Sequence, residues 1–266
     1  MGFITRMIKG WKDFLLLFFP KRCAVCKRLL RPDEQILCTA CSSDIELTGL
    51  HGEPGNVVER IFWSKVPIQR AAAWMKYAPG SHGSILIHAL KYGGALKLGR
   101  QLGSAMARDV MRYGFFKDID VIVPVPLHRR KERQRGYNQS MELARGVALV
   151  TGLPINTTAL QRCVNTPTQT RLSASERQEN VKNAFVTTSP DEIKGKHVLI
   201  IDDVLTTGAT ITACLQAVTN TPWFEGCHTR LSVLTLALAG THHNAAEHYR
   251  PWNPYEPSLQ EVSEGL

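Results

Sequence analysis

The sequence predicts an α/β protein built on a parallel sheet with helices on both faces, preceded by a small cysteine-bearing module. Three observations carry this reading. Short apolar runs rich in β-branched residues alternate with stretches of helical periodicity, the pattern of strands buried on both faces. Four of the seven cysteines fall between Cys23 and Cys41 and the next is Cys163, which marks a module boundary. Between them, Gly49, Gly52, Pro54 and Gly55 give one stretch the composition of a linker.

The elements follow in order. Met7 to Phe19 reads as a short amphipathic helix, and Ala71 to Tyr77 as the strand that opens the larger domain. Ile85, Leu86, Ala89 and Leu90 form one helical face, ended by Gly93-Gly94. Leu98, Leu102, Ala105, Met106 and Val110 recur at three- and four-residue spacing and predict a longer helix. Ile119 to Val125 is a buried strand, Tyr137 to Val150 a helix, and Val198 to Ile201 a second buried strand. The helical stretch Ala209 to Val218 and a third strand, Leu231 to Leu238, complete the pattern. The expected division is a helix and cysteine module over 1–50, a main domain over 60–240, and a poorly ordered tail over 241–266.

Composition excludes disordered and fibrous classes, since 44% of the 266 residues are hydrophobic and 21% charged. A formal charge of +9 and a pI near 9.3 favour polyanionic ligands: nucleic acid, a phosphorylated small molecule or an anionic surface. The longest purely apolar run, Phe14 to Phe19, falls far short of the roughly 20 residues that span a bilayer. Pro20-Lys21-Arg22-Cys23 follows it with no small-residue cleavage site. No transmembrane segment or signal peptide is expected, and a cytoplasmic location is.

The segment from Val198 to Thr210 is the most informative. An apolar strand delivers Asp202 and Asp203 to its C-terminal edge, where open α/β sheets bind ligands. Thr206, Thr207, Gly208, Ala209 and Thr210 then form a turn into a helix, whose N-terminal N–H groups and dipole suit a phosphate. Gly208 lets the backbone approach closely. Two carboxylates beside a phosphate would repel it, unless they accept hydrogen bonds from neighbouring ribose hydroxyls. The set therefore reads as a site for a ribose carrying a phosphate. The plainer alternative, an acidic helix cap closed by Thr206 or Thr207, explains one hydroxyl and one acid but not the whole set.

A second anion site is expected where the strand Ile119 to Val125 ends. Pro124, Val125 and Pro126 lead into a segment with five cations in seven positions, among them Arg129, Arg130 and Arg133. Arginine donates paired hydrogen bonds to phosphate oxygens, which suits a diphosphate; a solvated basic loop is the alternative. Residues 171–185 lack a clean apolar period and read either as a lid or as a surface loop.

Cys23-x-x-Cys26 and Cys38-x-x-Cys41 form two knuckles able to give four thiolates to a tetrahedral zinc. Two disulfides or an iron–sulfur cluster are the alternatives, and a cytosolic setting disfavours the disulfides. With sulfur at all four corners, such a zinc is structural.

The segment Val198 to Thr210 resembles the signature of the type I phosphoribosyltransferases: apolar strand, two acids, then Thr-Thr-Gly-x-Thr. With the cysteines, Leu90-Lys91-Tyr92, Val123 to Leu127, Arg135 to Gln139, Leu172-Ser173 and Arg177 to Val181, the chain resembles the ComF family, which includes the GntX proteins, over residues 19–239. That resemblance implies a type I phosphoribosyltransferase fold with an N-terminal zinc ribbon. It implies phosphoribosyl pyrophosphate or ribose 5-phosphate as ligand, with Mg²⁺, and a lid through Leu172, Arg177 and Asn180. It also implies a link to DNA uptake, natural transformation or DNA utilisation. Two readings follow: pentosyl transfer to an acceptor that no residue names, or a non-catalytic module binding ribosyl phosphate or single-stranded DNA.

Overall fold

The computed structural model describes residues 21–92, 96–163 and 184–240. The expected helix Met7 to Phe19, the Gly93-Gly94 stop, the lid through Leu172, Arg177 and Asn180, and the tail 241–266 lie outside the described residues.

Four parallel strands form the central sheet in the order β1-β6-β5-β2: β1 (Arg70–Tyr77), β6 (Arg230–Ala239), β5 (His197–Leu205) and β2 (Val121–Pro124). Their side chains alternate between two apolar cores, as the two-residue period of a strand requires. Val198, Ile200 and Val233 enter one core, where Val58, Phe62, Ile211 and Leu215 meet them. Leu199, Ile201 and Leu234 enter the other, against Leu102, Met106, Leu143 and Val147. Double-sided burial is the reason these strands read as unbroken apolar runs.

On the second face, α4 (Leu96–Met111) lies across α6 (Gln139–Thr151) at unusually close range. A Cβ on Gly103 would stand 2.2 Å from the Leu143 carbonyl oxygen, and one on Gly146 2.1 Å from that of Arg100. Only glycine permits this contact. Arg100 Nε and Glu142 Oε2, 2.6 Å apart, tie the same pair of helices. Helix α3 (His82–Tyr92) precedes them, and α7 (Ala209–Thr219) covers the first face.

The stretch holding Gly49 to Gly55, which reads as a linker, is instead built into the body. Lys76 N–H donates to Glu46 O (2.7 Å) and Thr48 N–H to Trp74 O (3.0 Å), so residues 46–48 run antiparallel along the outer edge of β1. Leu50 and His51 are buried. Asn56 caps the short helix α2 (Val57–Arg60) through Val58 N–H and ties it to Ala71 O (3.0 Å). Composition marks turns, but it does not reveal that their backbone groups pair with a strand.

A hairpin of β3 (Leu160–Arg162) and β4 (Phe185–Thr187) was not expected. Three residues per strand are too few to show a period. Among the described residues, no helix is long and apolar enough to cross a membrane.

Candidate functional site

An open cleft of about 580 Å³ lies at the C-terminal ends of the parallel strands. Tyr77 from β1, Ala239 from β6, Asp202 and Asp203 from β5, and Val125 just past β2 all line it. Asp202 is buried; Ser140 Oγ donates to its Oδ1 at 2.8 Å and Asp203 N–H to the same oxygen at 2.9 Å. Burial, then the neighbouring Asp203 carboxylate, pushes its pKa up to about 7. Asp203 stands 3.2 Å from Lys91 Nζ.

The turn after β5 enters α7 through Gly208, which holds the left-handed conformation (φ 79°). A Cβ there would lie 2.6 Å from Ile61 Cγ2. No side chain caps this helix, and its first regular bond is Thr212 N–H to Gly208 O at 2.8 Å. Thr207 Oγ1 reaches Ala209 N–H only at 3.4 Å. The plain capping reading of the threonines thus rests on that one long bond. Thr206 and Thr210 line the cleft, whereas Thr207, Gly208 and Ala209 form the turn between them.

The basic segment is a helix rather than a loop: α5 (Arg129–Arg135), with His128 Nδ1 accepting from Arg130 N–H and Gly136 ending it in the left-handed region. Helical spacing sorts its cations. Lys131 and Arg135, one turn apart, are half-buried and line the cleft. Arg129, with Pro124 and Pro126, lines an adjoining cavity; Pro126 faces the cleft too. Arg130 and Arg133 are exposed and line neither.

Among the cleft residues that reading by segment did not assign to the site are Ser140, Lys91, Lys131, Arg135 and Arg162. The i, i+4 spacing of Lys131 and Arg135 was the available signal. Burial, then Arg162, Arg135 and Lys91, lowers the Lys131 pKa, so these cations crowd one volume. Burial likewise lowers that of Arg162. Tyr137 is buried, and its hydroxyl donates to Leu90 O. The exposed aromatic at the rim is Tyr92, with the Arg135 guanidinium 5.8 Å from its ring centroid.

Some distance along the chain, the ligand atoms of Cys23, Cys26, Cys38 and Cys41 all lie within 4.8 Å of one another. Each knuckle turns tightly. Lys27 takes a positive φ of 64° after the first pair, and Cys41 N–H points at Cys38 Sγ (3.4 Å) in the second. Glu34 joins the two, accepting from Arg31 N–H and Thr39 N–H at 2.8 Å each, and those bonds hold its carboxyl down at about 2. Arg28, foremost among several donors, draws the Cys38 thiol down to about 6. Burial and the neighbouring thiols push the Cys41 thiol up to about 12, and the four convergent sulfurs are compatible with a structural zinc ion.

The doubly covered parallel sheet, with paired acids and a glycine-capped helix at its C-terminal edge, defines a phosphoribosyltransferase-fold protein carrying an N-terminal zinc ribbon. A family model described as the phosphoribosyl transferase domain matches residues 133–221. The chain is 33% identical to the DNA utilization protein YhgH of Shigella flexneri, over 73% of this chain and 82% of that one. It is 29% identical to competence protein F of Haemophilus influenzae, over 74% of this chain and 90% of that one. Competence protein ComFC of Bacillus subtilis is 30% identical over 34% of this chain and 35% of its own. The chain belongs to the ComF family, linked to DNA utilisation and competence.

Proposed function

We propose that the cleft binds phosphoribosyl pyrophosphate, or ribose 5-phosphate as its minimal form, in the service of DNA uptake or utilisation in the cytoplasm. The observation that carries the reading is the placement of Asp202 and Asp203 beside the uncapped opening of α7. Carboxylates accept ribose hydroxyls there, and the turn Thr206 to Thr210 takes the 5′-phosphate. Lys91, Lys131, Arg135 and Arg162 supply positive charge where a diphosphate would lie, and would stabilise it as a departing anion. The acids also fit Mg²⁺, which would neutralise charge between diphosphate and ribose oxygens when bound. The four cysteines would hold a structural zinc, and metal analysis of the purified protein is expected to find one ion per chain.

Calorimetric titration with phosphoribosyl pyrophosphate and Mg²⁺ tests the cleft. Wild type is expected to bind saturably, and Asp202→Asn/Asp203→Asn to lose at least about 2.7 kcal/mol, a hundredfold in affinity. Equal binding by both proteins would overturn the reading. A second reading, single-stranded DNA along the cationic rim with a base on Tyr92, is favoured by the exposure of that ring. It predicts steep weakening with salt and tolerance of the same double substitution.

A further inference from the structure

Beside the ribosyl cleft, and sharing Pro126, Leu127, Asn138 and Arg162 with it, lies a second cavity of about 410 Å³. It is within the size range of small-molecule sites. Arg129 from α5, Arg145 from α6 and Arg162 from β3 line it, so three separate elements bring guanidinium groups to one volume. Among the described residues, Glu132 is the one acid in its lining. Arg145 is oriented from behind by buried Glu142, which Arg100 also holds. Arg162 faces both cavities, and its guanidinium lies 5.1 Å from the centroid of the Phe185 ring.

The rest of the lining divides in two. Asn156, Thr157 and Gln161 offer amide and hydroxyl groups, while Leu127, Met141 and Leu160 make an apolar wall. An excess of arginine at a cavity that is otherwise half apolar matches a ligand with a doubly charged phosphate at one end and a flat or apolar body at the other. A bare anion would leave the apolar wall wet, and a neutral hydrophobe would make no use of the positive charge gathered there. We propose that this cavity is a second binding site, for a phosphomonoester with an apolar or planar body, anchored by Arg129 and Arg145 and able to fill while the ribosyl ligand is in place, with Arg162 shared between the two. The inference goes beyond the ribosyl reading and rests on it only for the ligand that occupies the first cleft.

Phenyl phosphate is the suitable probe, because it has the phosphate and planar body but no ribose hydroxyls for Asp202 and Asp203. The titration is made on the full chain already saturated with phosphoribosyl pyrophosphate and Mg²⁺. Expected is one further equivalent bound, with orthophosphate and phenol each at least about tenfold weaker. Arg129→Gln and Gln161→Glu, both at exposed positions, should weaken phenyl phosphate about tenfold or more. Arg108→Gln, an equally exposed charge that lines neither cavity, should leave it within twofold, about 0.4 kcal/mol. Three outcomes overturn the proposal: no uptake by the saturated wild type, equal uptake by Arg129→Gln and Gln161→Glu, or phenol bound as well as phenyl phosphate. If phosphoribosyl pyrophosphate itself fails to bind, the ribosyl reading falls alone. The same titration on the bare chain then decides this cavity, since the Arg129 and Gln161 variants should lose phenyl phosphate and Asp202→Asn/Asp203→Asn should keep it.

Discussion

At the scale of single residues, Asp202 carries the clearest consequence. Its pKa is raised in the fold to about 7, so the folded chain keeps a proton that the unfolded chain releases near pH 4. Stability contributed by the protonated form is complete below about pH 4 and is lost as pH rises to about 7. Asp202→Asn removes that titration. Its unfolding midpoint in denaturant should therefore change less between pH 5 and pH 8 than that of wild type, and at pH 8 the variant should be the more stable of the two. A wild-type profile that is flat over this range would show that Asp202 is ionised throughout. Ligand affinity should move the other way, rising from pH 6 to pH 8, because a ribose hydroxyl needs the ionised acceptor.

At the scale of elements, the crossing of α4 and α6 is the contact with least slack. Alanine is worth about 1 kcal/mol more than glycine inside a helix, which alone would make Gly146→Ala stabilising. The added Cβ, however, would sit 2.1 Å from a backbone oxygen that cannot rotate away. Overpacking of this kind costs about 1–3 kcal/mol, so packing wins and the variant should be less stable by denaturant titration. Gly226→Ala, with nothing within 4 Å of its new methyl, should be neutral by the same measurement. Elements also show what was legible in advance. The long strands and helices of the sheet stood out because double-sided burial writes continuous apolar runs, and Asp202 to Thr210 stood out because strand, acids and turn are contiguous. The hairpin was too short to show a period. The cleft cations were assigned to the wrong side of their segment, because a run of charges read as a loop has no face. As a helix it has two, and Lys131 and Arg135 share one of them. Ser140 and Arg162 reach the site only through tertiary packing, which no local pattern encodes.

At the scale of the whole molecule, the cysteine module and the sheet are one structure. Residues 46–48 leave the second knuckle and pair directly with β1, through Thr48 N–H and Lys76 N–H. Removing zinc with a chelator should therefore raise hydrogen exchange at these two amides as well as within the knuckles. Unchanged protection at both would mean that the strip holds without metal.

The strip along β1 has a further consequence. An unpaired outer strand is a template for another chain, and β1 is apolar along most of its length. Residues 46–48 occupy that template; were metal loss to free them, β1 would be open to a second molecule. If zinc fills the knuckles, its loss would then give the chain a route to self-association that depends on metal supply and leaves the cleft untouched.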